Sequence, residues 1–377
     1  MNTRERFIKT LLFDHPDRPY FHHAFGLMPG VIERWRQEGL PVDVGEDDIR
    51  TYFGFDPKGR GVAVNVLFDP LFDSEIIEET DEYIIRRESS GQVTQLYHEV
   101  SSLPHAIGYP IESPEDWPAV KERLQVSSSR FASDWVEQAR RTQEDDGLPL
   151  SFGGEGFYWM PRDLLGDERL CLWYYEQPEI VRDMLTTYTD LLCALAEEIV
   201  AKVWVDTVHF GEDMAYRGGS MIGPKLFREF MLPCYQRVFD VFRAHGTRLF
   251  SVDTDGLVDG LIPLFLEAGV NVLSPMEVRA GNDLVALRGE YGSRMAFMGG
   301  LDKLILSEGK QAIDRELESK IPAMLELGGY IPSLDHRVVV ETSLLQFGYY
   351  VKRVRELMGQ EELAECVPHS ELGENYE

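Results

Sequence analysis

Cysteine is scarce in this chain: 377 residues hold only Cys171, Cys193, Cys234 and Cys366, widely scattered and without a CxxC pair. That spacing excludes a thiolate zinc cluster built from sequence neighbours and fits a reducing compartment. Basic residues are also short, 37 against 65 acids, and the formal charge of −28 argues against nucleic acid or anionic lipid as a partner. No stretch approaches the ~18 uninterrupted apolar residues that a membrane helix requires. The opening MNTRERFIKTLLFDHPDRP is charged throughout and lacks the apolar core and cleavage site of a signal peptide. A cytoplasmic protein acting on a small molecule is the expectation, with a homodimer allowed. No low-complexity linker divides the chain, and 44 % hydrophobic residues suffice for one large core. A single domain is therefore expected over residues 1–359, with a β-rich insertion at about 64–110 and a loosely ordered acidic tail at 360–377.

The second half repeats one pattern four times: a helix ends at glycine, an apolar run follows, and the run ends in an acid. The copies are HGTRLFSVDTD (Gly246 to Asp253 and Asp255), AGVNVLSPME (Gly269 to Glu277), YGSRMAFMGGLD (Gly292 to Asp302) and LGGYIPSLDH (Gly328 to Asp335 and His336), preceded by VDTVHFGED with Glu212 and Asp213. Glycine suits the left-handed position after a helix, and runs apolar on both faces suit buried parallel strands. The fold class read from this is α/β, a single (β/α)8 TIM barrel with an N-terminal helical extension and a β-hairpin insertion, its chemistry at the strand C-termini. Thr3 opens a first helix and PYFHHAF forms the first strand. EYIIRRESSGQVTQLYHEV folds as the hairpin, Pro178 starts a long helix, and Pro233 kinks another.

Acids recurring at strand ends imply one acidic site that handles metal or protons. Asp253 and Asp255, at i and i+2 after an apolar run, can point the same way and hold one hard cation or share a proton. Asp335 and His336 suit a carboxylate with an acid/base imidazole, or a metal ligand with its orienting partner. Glu212 or Asp213 faces the pocket; a packed His209 is as acceptable as a ligating one. Glu277 and Asp302 are single acids, and Asp302 also fits as the cap of the next helix. Tyr158 follows the third strand. Of His22 and His23 only one can enter the mouth, because successive strand residues alternate faces.

These segments carry a family likeness. TRERFIKTLLFDHPDRPYF resembles the opening of the uroporphyrinogen decarboxylase superfamily, GPKLFREFMLPCYQRVFDVFRAHG resembles its "sPelFreF.lPy" helix, and the later repeats follow in the family's order. The resemblance spans nearly the whole chain and independently implies a TIM barrel. It covers cofactor-free decarboxylases of tetrapyrroles and corrinoid-linked methyltransferases that activate a thiol on zinc. The arginine-rich RQAGR segment of the decarboxylases is replaced here by HHAFGLMPG. The methyltransferase His-x-Cys-Gly zinc motif becomes Asp253-Thr254-Asp255-Gly256, and Asp335 falls near that family's further cysteine. The resemblance thus implies a hard-ligand site for a divalent metal, zinc or another, with Asp253, Asp255 and Asp335 as ligands. His336, Glu212 and Tyr158 become catalytic candidates, and His22, His23, Asp213, Glu277 and Arg162 substrate contacts. The activity expected is methyl transfer from, or demethylation of, a small methylated metabolite, with the corrinoid on a partner protein. Cofactor-free decarboxylation, with Arg162 and Arg279 as carboxylate clamps, and a non-catalytic corrinoid-binding barrel are the alternatives.

Overall fold

The computed structural model describes residues 1–98 and 104–372. Helix α1 (Thr3–Leu11) is opened by Asn2 rather than Thr3: the Asn2 side chain takes the Glu5 N–H, and Glu5 reaches back to the Asn2 N–H. This reciprocal cap satisfies two donors that a helix start leaves free. Strand β1 (Arg60–Gly61) leads into an antiparallel meander of β2 (Glu75–Glu79), β3 (Tyr83–Arg87), β4 (Val93–Tyr97) and β5 (His105–Gly108). The expected hairpin is β3–β4, turning through Gly91 at φ 89°. The structure extends it on both sides into four strands, while Glu99 and Val100 of the predicted run lie outside the described residues.

The remaining strands are β6 (Leu150–Glu155), β7 (Thr207–Gly211), β8 (Ala215–Tyr216), β9 (Gly219–Ser220), β10 (Leu249–Asp253), β11 (Val272–Ser274), β12 (Ala296–Leu301) and β13 (Tyr330–Leu334). Apart from the small β8–β9 ribbon they join β1 in one curled parallel sheet, ordered β1-β6-β7-β10-β11-β12-β13. Helices alternate with these strands, including Pro178–Val200 with proline at its start, so the repeated sequence pattern is realised as βα units. Among the described residues seven regular strands take part, where eight were expected. Residues Pro19–Phe25, read from sequence as the first strand, run between β13 and the segment before β1 without forming one. Side chains replace the ladder there: the Phe21 N–H donates to the Asp56 carboxylate (2.9 Å) and the Ala24 N–H to the Ser333 hydroxyl. Only Leu27 makes an isolated parallel bridge, to Val338.

Pro233 was expected to kink its helix. It stands at the start of Leu232–Ala244, directly after a π-helical turn at Phe227–Met231, where the missing proline N–H interrupts the helical ladder. At the strand starts α1 lays Phe7 and Leu11 against Leu249, Val272, Ala296 and Ile331, closing that end of the sheet with apolar side chains. The tail is more ordered than its composition suggests. Glu361–Ala364 is helical, and Ala364, Val367 and Leu372 are buried; residues 373–377 lie outside the description. Among the described residues no helix is long and apolar enough to cross a membrane.

Candidate active site

The strand C-termini gather Glu155 (β6), Asp213 (after β7), Asp253 and Asp255 (end of β10 and beyond), Glu277 (after β11) and His336 (after β13) around one mouth. Asp255 and His336 face each other, with His336 Nε2 4.0 Å from Asp255 Oδ2. The Arg337 N–H donates to His336 Nδ1 at 2.7 Å, so the neutral ring carries its proton on Nε2, toward Asp255. Phe25 lies flat against the imidazole, 5.3 Å between centroids and 2° from parallel. Burial, reinforced by the charges of Asp213, Asp253 and Glu277 and opposed by Lys303, pushes the Asp255 carboxyl up to about 7. Burial, with Lys303 and Arg337, lowers His336. At neutral pH the pair therefore consists of a half-protonated acid beside a neutral imidazole. Such a carboxyl can give or take a proton at little cost.

Below this mouth lies a cavity of about 340 Å3 lined by the inner face of the sheet. A barrel interior is ordinarily filled by branched apolar layers. Here the inward positions are small or polar: Ser151, Thr207, His209, Ser251, Asp253 and Ser274. His209 sits mid-strand yet remains exposed to the cavity, its Nδ1 2.6 Å from the Ser251 hydroxyl. The Ser274 hydroxyl donates to Asp253 Oδ2 at 2.7 Å. Of the two histidines, His22 lines the cavity; its Nδ1 donates to the Asp56 carbonyl (3.0 Å) and its Nε2 has no partner. Burial lowers it to about 4. His23 turns the other way and packs against Phe55 and Phe347, so its expected substrate contact is not made.

Further expectations are corrected. Glu212 is fully buried and faces no cavity: it accepts the N–H groups of Phe157 (2.8 Å), Tyr158 (2.7 Å) and Trp159 (3.2 Å) and the Tyr235 hydroxyl. It thereby caps the helix Trp159–Leu165; burial pushes its carboxyl up to about 7 against the pull of these donors. Asp335 is 1 % exposed and its two oxygens take the N–H groups of Val278 (2.9 Å) and Lys303 (3.0 Å), tying the loops after β11 and β12 to β13. Tyr158 is buried and donates to Asp167 Oδ1 at 3.1 Å, away from the cavity, so it delivers no proton there. Arg162 is held by Asp213 (2.6 Å) and Arg279 by Asp302 (2.9 Å), which engages both expected carboxylate clamps. Asp302 caps the turn at Lys303 by accepting the Leu304 N–H. Glu277 accepts the Gly256 N–H at 3.0 Å. The last long helix, Leu344–Leu357, is capped by Ser343 with Gln346.

Zinc or another divalent ion bound by Asp253, Asp255 and Asp335 does not fit this donor set, because Asp335 is spent on backbone donors. Among the described residues no three His, Cys, Asp or Glu side chains are grouped to hold a metal. None of the four cysteines lies at the mouth: Cys171, Cys193 and Cys234 sit in helices and Cys366 near the C-terminus. Glu155 was missed in the sequence, although LSFGGE ends in an acid as the other strands do. Burial and the neighbouring Asp163 raise it to about 8, opposed by Arg162.

The sequence model of a family described as uroporphyrinogen decarboxylase (URO-D) matches residues 106–357. The chain belongs to the uroporphyrinogen decarboxylase family. Among solved structures, a methyltransferase from Methanosarcina mazei is similar in fold, with a TM-score of 0.61 over 96 % of this chain and 99 % of that one at 16 % identity. A B12-independent methionine synthase from Shewanella sp. W3-18-1 covers 78 % of this chain and 74 % of its own at 14 % identity, with a TM-score of 0.36. No curated protein matches the chain in sequence.

Proposed function

We propose that this family member removes a methyl group from nitrogen or oxygen of a small metabolite, with Asp255 as general acid, and passes it to an acceptor presented by a partner protein. The observation that carries the reading is the Asp255–His336 pair at the cavity mouth, where a carboxyl near 7 faces an Nε2–H at 4.0 Å. Breaking a carbon–heteroatom bond leaves the electron pair on the heteroatom, which departs as a poor leaving group unless protonated. Asp255 gives its proton to that atom, the methyl carbon bonds to the acceptor, and His336 returns a proton from solvent. A general acid in this role contributes roughly 10²–10⁴ in rate. A corrinoid on a partner, when bound, would supply the nucleophile. The cavity of about 340 Å3 is at the small end of ligand pockets and suits a metabolite rather than a macrocycle. Family membership and the fold shared with a methyltransferase support the reading.

A second reading, decarboxylation of a small acid, is favoured by Lys303 beside Asp255, which makes no ion pair with a described residue. One assay separates the two. The protein is incubated anaerobically with a panel of N- and O-methylated metabolites and cob(I)alamin, following methylcobalamin by absorbance and carbon dioxide in the headspace. Methylcobalamin formation that falls at least a hundredfold in Asp255→Asn supports methyl transfer. Carbon dioxide release without methylation supports the second reading, and activity indifferent to Asp255→Asn overturns the proton-donor role. Corrinoid binding with neither product would leave a delivery barrel.

A further inference from the structure

The cavity carries unlike charges at its two ends. Lys58 lines it from just before β1, at the strand starts, and has no hydrogen bond or ion pair with any described residue. Its charge bears on both His22 and His209. Asp253 lines it at the end of β10, with Oδ2 taken by Ser274 and Oδ1 left over. Between them stand the unpartnered Nε2 of His22, a residue only 5 % exposed, and an apolar wall that includes Phe7, Leu11 and Met298. No described residue partners the Lys58 ammonium, Asp253 Oδ1 or the buried His22 Nε2. A molecule with an acceptor anion at one end, a donor cation at the other and methylenes between would meet the lysine, the carboxylate and the apolar wall.

We infer that the cavity binds an extended amino acid, with its carboxylate at Lys58 and its methylated amine at Asp253, below Asp255. This rests on the proposed methyl transfer and names its substrate class. The five residues of β10, Leu249–Asp253, advance about 13 Å at ~3.3 Å per residue. The lysine side chain spans part of that length, so the ligand needs several methylenes between its charges, more than an α-amino acid has. The chain's charge of −28 attracts the cationic end toward the mouth. In the reaction, the carbon–nitrogen bond of the tertiary amine breaks, nitrogen keeps the electron pair and takes the Asp255 proton, and the acceptor gains the methyl group.

Isothermal titration calorimetry on the full chain, without any methyl acceptor, tests the inference. The probes are ω-(dimethylamino)alkanoates from two to eight carbons. The controls are the matching carboxylates with isopropyl replacing dimethylamino, and the N,N-dimethylalkylamines of equal length. The expected result is a maximum beyond the two-carbon chain, with that probe at least tenfold tighter than either control. Lys58→Met, a change at an exposed, unpaired side chain, should reduce the best probe to the affinity of its amine control without altering binding of that control. Asp253→Asn, which still accepts from Ser274, should reduce it to that of the carboxylate control. A preference below tenfold, a maximum at two carbons, or no response to Lys58→Met overturns the inference. Binding of this pattern without methyl loss would sink the proposed reaction alone. Methyl transfer from compounds lacking a carboxylate, without this binding pattern, would sink the inference and leave the reaction standing.

Discussion

Replacing Asp255 by asparagine should make the protein more stable, and increasingly so as the pH rises. The folded carboxyl titrates near 7 instead of the ordinary 3.8, because it is partly buried among Asp213, Asp253 and Glu277. The folded state therefore holds a proton that the unfolded chain releases from about pH 4 upward, and wild-type stability from this group declines through that window until the folded carboxyl also ionises near 7. For a fully buried group a rise from 3.8 to about 7 corresponds to roughly 4 kcal/mol. With 39 % of the Asp255 side chain exposed, solvent screening reduces this to about 2 kcal/mol. Asparagine keeps the shape and never ionises. The gain from Asp255→Asn should be small near pH 4, grow to pH 7 and level off at about 2 kcal/mol. Urea unfolding of both proteins at pH 4.5, 6, 7 and 8, with the slope of each transition checked for equality, measures it without a substrate. A variant less stable than wild type at pH 8, or a difference that does not change with pH, would refute the electrostatic account of the site.

Glu212→Gln should cost about 1–3 kcal/mol, because its amide nitrogen must face at least one backbone N–H among Phe157, Tyr158 and Trp159 and a buried donor left unsatisfied costs ~1–3 kcal/mol; unchanged or increased stability in urea unfolding would contradict the capping role. Dialysis against EDTA should leave the melting temperature and any methyl transfer unchanged, since Asp335 is engaged by Val278 and Lys303; stoichiometric metal by plasma mass spectrometry, lost together with activity, would reverse that conclusion.

The parallel strands were legible because glycine-terminated helices followed by apolar runs announce them locally, as at Gly246 and Leu249–Asp253. Caps contained in a few neighbouring residues, such as Asp302 on Leu304, were legible for the same reason. Glu212 and Asp335 were misassigned because what silences them is distant in sequence: the donors to Glu212 lie 53–55 residues upstream, and those to Asp335 lie 57 and 32 residues away. A strand-end acid looks the same in sequence whether it faces a substrate or a row of backbone N–H groups. The first strand failed because Phe21 and Ala24 bond to side chains, which no hydropathy pattern reveals. The cavity had a visible signal that was not read: alternate positions Ser251 and Asp253, or Thr207 and His209, are small or polar within otherwise apolar strands.

Phe7 and Leu11 of α1 line the floor of the cavity, so the strand-end acids stand at its mouth. Traffic through that mouth is sequential: a metabolite entering there must be inside before a macromolecular acceptor covers it, and a product leaving there waits until that acceptor withdraws. Saturating acceptor should consequently inhibit by blocking entry, and the small substrate should bind first in any steady-state scheme. Phe7 and Leu11, far from the reacting atoms, would thus set the order of events as firmly as the acids at the other end set the chemistry.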